Sequence, residues 1–323
     1  MNLRALQRNV PFLATVVVCL VLYIAAAVKY PAFASLRVFI NFFADNSFLG
    51  IAALGLTFVI LSGGIDLSVG AVVGLVSVFL ALAMEKWHWH VAVAVPIALA
   101  GGGLFGSLMG LLVHRFALPP FLVTLGGMFF ARGLAQLLSL EAQPITRYLS
   151  EITDAVRVPL GNAVLPTTAI IFLVVFVAAF VVGKFTRFGR NVYAIGGNEQ
   201  SATLMGLPVA RTKIGVYALS GFCSALAGVV YCLYTQSGYA KAAEGLELDA
   251  IAAVVIGGTL LSGGVGSVAG TVVGVLIFGI IQTAIVFQGT LSSWWTKIVI
   301  GVLLLAFILL QKMIQAKKFQ AAK

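Results

Sequence analysis

Apolar residues run along this chain in long blocks, without the two-residue alternation of a half-buried strand. About 20 apolar residues, each rising 1.5 Å, cross a bilayer core of roughly 30 Å. The pattern predicts ten such blocks, at 10–28, 46–62, 67–84, 91–113, 120–139, 165–183, 212–235, 248–261, 265–286 and 295–311. The stretch 248–261 is short and the gap at 62–67 is tight, and a broken or re-entrant helix would account for either. Eight to ten crossings is therefore the expected range, in an all-α polytopic membrane protein. No polar domain interrupts the series, so residues 1–323 are expected to form a single transmembrane domain.

Composition removes the alternatives. Of 323 residues, 61% are hydrophobic and 9% charged, against roughly 45–50% and about 25% in a soluble domain. So little polar surface cannot coat a water-soluble fold, which excludes a soluble enzyme, a nucleic-acid binder and a disordered chain. The formal charge of +10 then reflects loop sidedness. With ten spans and a cytoplasmic N-terminus, Arg4, Arg8, Arg115, Lys184, Arg187, Arg190, Arg211, Lys213, Lys312, Lys317, Lys318 and Lys323 fall inside. Only Lys29, Arg37, Lys86, Arg147, Arg157, Lys241 and Lys297 fall outside, and Arg132 lies within a span. Glu199 falls inside, whereas Asp45, Glu85, Glu141, Glu151, Asp154, Glu244, Glu247 and Asp249 fall outside. The positive-inside rule, which counts only Lys and Arg, places both termini in the cytoplasm. Trp87, Trp89, Trp294 and Trp295 reach outer span ends, where amphipathic rings settle. The first block is longer than the about 7–15 apolar residues of a secretory signal, and an uncleaved first span is expected. Cys19, Cys223 and Cys232 sit in apolar runs without metal-ligand spacing; they read as small hydrophobes, with no metal site.

Two glycine-rich breaks resemble each other. Residues 61–75 read LSGGIDLSVGAVVGL and residues 261–275 read LSGGVGSVAGTVVGV, identical at eight of fifteen ungapped positions. Gly63-Gly64 and Gly263-Gly264 are the expected helix breaks. Irregular backbone at membrane depth is tolerated only inside protein or facing water, and such repeats organise many transporters in two halves, with cargo handled at the repeat interface. Whether the halves are parallel or inverted is open at this stage. Gly102, Gly106 and Gly110 add a small-residue face for close helix contact. Asp66 is the one acid committed to a break. A charge at the bilayer centre costs about 2.5–3.5 kcal/mol on insertion scales, so Asp66 should cap the helix that follows or face a wet cavity.

The longest inside loop, 184–211, reads KFTRFGRNVYAIGGNEQSATLMGLPVAR. Gly196-Gly197-Asn198 signals a turn, and Asn198 can cap a two-turn helix over 199–205 that carries Ala202, Leu204 and Met205 and is ended by Gly206 and Pro208. A short helix of this kind suits a partner's groove or the lipid surface.

SGGIDLSVG, TRFGRNVYAIGGNEQSATLMGLPV and LELDAIAAVVIGGTLLSGGVGSVAGTVVG, in that order, resemble the permease subunits of ribose- and galactose-type sugar ABC importers over nearly the whole chain. With FLGIAALGLTFVILSGGIDLSVG and QGTLSSWWTK, the likeness is nearest to galactofuranose importers, although Gln288 stands where an acid is expected. The resemblance implies a bacterial inner-membrane subunit paired with a second related permease, as a heterodimer or, alternatively, a homodimer. It also implies a periplasmic sugar-binding protein and a cytoplasmic ATP-binding subunit that holds ATP and Mg, with no cofactor on this chain. The segment 184–211 becomes the coupling loop, with Gly196, Gly197, Asn198, Ala202, Leu204, Met205 and Gly206 facing that ATPase. A neutral sugar needs hydrogen-bonding groups and aromatic faces, and the candidate path residues in or beside spans are Asn41, Phe43, Asn46, Ser62, Asp66, Ser68, Gln136 and Gln282.

Two other classes fit the sequence less well. An ion-coupled carrier needs ionisable groups within spans, and Asp66 and Arg132 are thin support for one. An intramembrane enzyme lacks its motifs: there is no G-x-S-x-G or H-E-x-x-H, and His88, His90 and His114 lie at span ends or in loops. Nor is there a G-x-x-x-x-G-K-[ST] loop, since Phe185 follows Gly183-Lys184. Any ATP must bind a partner.

Overall fold

Backbone polar groups in lipid must be satisfied within the protein, which for a chain this apolar selects helices. A computed structural model describes residues 3–146, 156–292 and 294–321, leaving Arg147, Glu151, Asp154, Ser293 and Lys323 outside the described residues. The chain opens with α1 (Leu3–Lys29), a 3-10 turn (Pro31–Ala34), α2 (Leu36–Asp45), α3 (Ser47–Leu61) and α4 (Val69–Glu85). It continues through α5 (Val91–Arg115), α6 (Pro120–Leu138), α7 (Thr167–Phe185), α8 (Arg187–Gly197), α9 (Glu199–Leu204) and α10 (Val209–Thr235). The last helices are α11 (Leu246–Ile256), α12 (Val268–Gln288) and α13 (Trp294–Ala321). Two small antiparallel ribbons complete the described residues: Gln143–Pro144 with Ser237–Gly238, and Val158–Leu160 with Ala163–Leu165.

The protein is a polytopic helical membrane protein. Seven helices are long and apolar enough to cross a bilayer, and α2 with α3, bent by 55°, raises the number to eight if the pair is one span. The expected block 46–62 is the inner arm of that bent pair. The expected span 67–84 is the 17-residue α4, and the short block 248–261 is the 11-residue α11. Apolar composition located both segments and the end of α4 at Glu85, but not that α11 stops at Ile256, ahead of the end of its apolar block.

α3 and α10 form the centre. α3 is buried on all sides except at Phe48, as an all-apolar helix must be. The most extensive helix contact joins α5 to α10, and small residues explain it. A Cβ at Gly106 would lie 2.1 Å from the Tyr217 carbonyl oxygen, and one at Gly102 or Gly221 would lie 2.5 or 2.2 Å from the opposite glycine's oxygen. The predicted Gly102-Gly106-Gly110 face is therefore a seam where two backbones touch. Cys223 and Cys232 are buried in α10, and all three cysteines are free thiols.

The loop 184–211 contains more structure than its turn signals suggest. α8 is amphipathic, buries Val192 and Ile195, and starts at a Thr186 cap whose hydroxyl accepts from Gly189 N at 3.1 Å. Gly189 fits under the end of α7, where a Cβ would lie 2.3 Å from the Gly183 oxygen. α9 follows the predicted line: Asn198 Oδ1 accepts from Ser201 N at 2.8 Å.

Candidate functional site

The first break begins where α3 runs into Ser62-Gly63-Gly64. Gly63 N donates to the Ile60 oxygen and Gly64 N to the Val59 oxygen, both at 2.9 Å, so the helix closes on itself. Gly63 turns out with φ +82°, a left-handed conformation that suits glycine. Asp66 is 2% exposed. Its Oδ1 accepts from Ser68 N at 2.9 Å and Ser68 Oγ at 2.6 Å, which shapes the start of α4. Its Oδ2 accepts from Ser220 Oγ of α10 at 2.7 Å. The neighbouring Ile65 oxygen accepts from Tyr217 Oη at 3.3 Å and Thr124 Oγ1 at 3.4 Å. Each buried polar group here has a partner, as burial demands.

The second break spans 257–267. Gly263 has φ +83°, matching its repeat counterpart Gly63, and its N donates to the Leu260 oxygen at 3.0 Å. The next residue departs: Gly264 N donates across to the Leu61 oxygen at 2.9 Å, joining the second break to the first. Ser267 Oγ then caps α12 by accepting from Gly270 N at 3.0 Å.

A third glycine segment completes the junction. A Cβ on Gly196, at the end of α8, would stand 1.8 Å from the Leu61 oxygen and 2.5 Å from Gly264 N. One on Gly263 would stand 2.7 Å from Gly63 N and 3.0 Å from the Gly196 oxygen. Tyr193 Oη of α8 donates to the Gly266 oxygen at 3.0 Å. Both breaks and the end of α8 therefore meet backbone to backbone. Gly197 is different, for open space surrounds its Cβ position.

Beyond the junction, α9 buries Ala202 against Ile195 and Val209 and leaves Leu204 88% and Met205 68% exposed. Glu199 is tied to Lys213 at 2.7 Å, and Gly206 turns the chain away with φ +74°.

Ser62, Asp66 and Ser68 meet at the first break, where Ser62 Oγ donates to the Val59 oxygen at 2.7 Å. Asn41, Phe43 and Asn46 lie at the bend between α2 and α3. There Asn41 is exposed, Phe43 packs on Phe39 and Phe172, and buried Asn46 donates to the Phe42 oxygen at 3.0 Å. Gln136, half-buried on α6, and Gln282, exposed on α12, join neither group. Tyr217, Ser220 and Thr124 went unnoticed in the sequence because the break recruits them from distant helices. Arg132 Nη1 donates to the Ala240 and Ala242 oxygens at 2.7 and 2.8 Å, fastening the loop before α11. In the first turn of α11, burial pushes the Glu247 carboxyl above its ordinary pKa, and its Oε2 has no hydrogen-bond partner among the described residues. Gln288, the departure from the expected acid, accepts from Lys29 Nζ at 2.8 Å and from Tyr30 Oη, clasping α12 to the end of α1.

The family described as "Branched-chain amino acid transport system / permease component" matches residues 38–308. The inner membrane ABC transporter permease protein YjfF of Escherichia coli (strain K12) is 50% identical over 309 residues, 95% of this chain and 93% of that protein. The fructose import permease protein FruG of Bifidobacterium longum (strain NCC 2705) is 38% identical, over 96% of this chain and 93% of its own length. The ribose import permease protein RbsC of Bacillus subtilis (strain 168) is 37% identical, over 95% and 93%. No solved structure matches the chain.

Proposed function

The chain belongs to the branched-chain amino acid transport system / permease component family, as a multi-pass inner-membrane transport subunit and not an enzyme, and from that premise we propose that its cargo is a sugar. Relatives named for fructose and ribose import support a sugar over an amino acid. The motifs nearest to galactofuranose importers favour that sugar. On this reading the whole chain is one permease domain with both termini cytoplasmic, paired with a second related permease. A periplasmic binding protein delivers the sugar, and a cytoplasmic ATPase holding ATP and Mg drives transport. The sugar path draws on the polar and aromatic residues of the first break and the bend between α2 and α3.

The observation that carries the reading is the glycine junction. α9 presents Leu204 and Met205 outward, and α8 abuts both helix breaks at Gly196. A push on α9 by an ATPase therefore reaches both halves of the repeat through a few backbone contacts. Substituting both Leu204→Glu and Met205→Glu should reduce ATP-dependent uptake of labelled sugar at least about tenfold, as loss of interface anchors does, with the membrane level unchanged. The furanose form of galactose should compete for wild-type uptake better than the pyranose form. Normal uptake by the double variant removes the coupling role of α9, and pyranose preference removes the galactofuranose assignment.

A further inference from the structure

A cavity of about 640 Å³ opens between the ends of α1 and α7, the start of α8 and the second break. That volume lies in the range of small-molecule sites. Its lining includes Phe12, the first residue of the apolar stretch of α1, and Phe180 of α7. Lys184 and Arg190 line it too. The Lys184 ammonium lies 5.2 Å from the Phe180 ring centre and 5.5 Å from that of Phe185, which holds the charge at the level where a spanning helix ends. Among the described residues, no carboxylate pairs with either cation, and no acid lines the cavity.

The rest of the lining is Tyr193 and a run of mostly small residues, Gly183, Gly257, Gly258 and Gly264 to Ala269. The first N–H groups of a helix have no intrahelical acceptor. Ser267 Oγ takes the Gly270 N–H, leaving the amides of Val268 and Ala269 at the head of a 21-residue helix. Behind this wall Thr259 Oγ1 is fully buried with no hydrogen-bond partner among the described residues. Two cations without counter-charges and a helix N-terminus call for an anion. Aromatic lining where apolar helix stretches begin and end suits the acyl chain of a lipid.

We propose that this cavity binds the phosphate headgroup of an anionic phospholipid. Phosphate is the chemistry recognised, and a lipid or a soluble phosphate would supply it. The aromatic lining and the position where α7 ends and the apolar stretch of α1 begins assign it to lipid, in keeping with basic pockets between transmembrane helices. Because one wall is the second break, an occupied cavity restrains that segment.

The test uses the full chain purified in detergent, with lipid retention read by native mass spectrometry and protection read by thermal melting. Phosphatidylglycerol should be retained in preference to phosphatidylcholine of the same chain length. The double variant Lys184→Ala, Arg190→Ala should retain it about tenfold less or weaker still, as expected for two basic residues facing an anionic lipid. Ala269→Phe, which fills the cavity and keeps both cations, should lose retention as well. Lys213→Ala, a basic residue outside the cavity, should retain the lipid as wild type does. Equal retention of the two lipids, or undiminished phosphatidylglycerol on both cavity variants, overturns the proposal. Inorganic phosphate that raises the melting temperature as much as phosphatidylglycerol does overturns the lipid assignment and leaves a soluble-anion site.

Discussion

The two glycine breaks share eight of fifteen residues and the same left-handed turn at Gly63 and Gly263, yet they are held in opposite ways. The first is pinned from all sides: Asp66 reaches Ser68 and Ser220, and Ile65 receives Tyr217 and Thr124. The second places Gly266 where the first has Asp66, and leaves Leu261 and Val265 exposed. Its ties are its own backbone bonds, from Leu260 to Val265 and Gly263 to Leu260, with the Ser267 cap, the Tyr193 hydroxyl and the backbone bond from Gly264 to Leu61. One motif has thus become an anchor in one half and an adjustable segment in the other. Much of the difference gathers at one position, 66 against 266, where the carboxylate that ties α4 to α10 is replaced by a glycine.

The largest test of this contrast is Asp66→Ala, which leaves Ser68 N–H, Ser68 Oγ and Ser220 Oγ buried without their acceptor. At about 1–3 kcal/mol for each abandoned group, the loss should approach roughly 3 kcal/mol and appear as a marked drop in melting temperature in detergent. Asp66→Asn, retaining one acceptor oxygen, should lose less; wild-type melting of the alanine variant would mean the first break is not pinned. Gly266→Ala ranks second. Its Cβ would fall 2.4 Å from Thr259 Oγ1, at a strained φ of +151°, for a loss of about 1–3 kcal/mol. Adding Thr259→Ala removes the obstructing hydroxyl and should recover part of that loss, so strict additivity in the double variant would place the strain elsewhere. Ser267→Ala should cost least, about 1 kcal/mol for a lost helix cap, and a larger drop than that from Asp66→Ala would reverse which break is the anchor.

Long apolar runs made most helices legible, because a run of that length has one stable conformation in lipid. Helix ends were less legible, since α11 stops at Gly257-Gly258 inside an apolar run and not where hydrophobicity falls. α8 was missed altogether: its basic residues and Gly189, Gly196 and Gly197 read as loop, and its stability comes from Gly189 fitting against Gly183. At the candidate site, Asp66 stood out as an acid in a glycine break, and Asn198 as a cap. Ser220, 154 residues away, carried no local signal, because a hydroxyl in an apolar helix looks the same with or without a distant partner. Gly196 and Gly197 looked equivalent in sequence, and only packing separates the crowded one from the open one.

The α5–α10 seam has a mechanical consequence. Where Gly102, Gly106 and Gly221 bring carbonyl oxygens to within 2.5 Å of a virtual Cβ, neither helix can slide past the other without collision. The pair behaves as a keel, stiff against both shear and mutation. Whatever rocking the permease undergoes must be taken up outside it, by the thin, side-chain-free backbone where the three glycine segments meet.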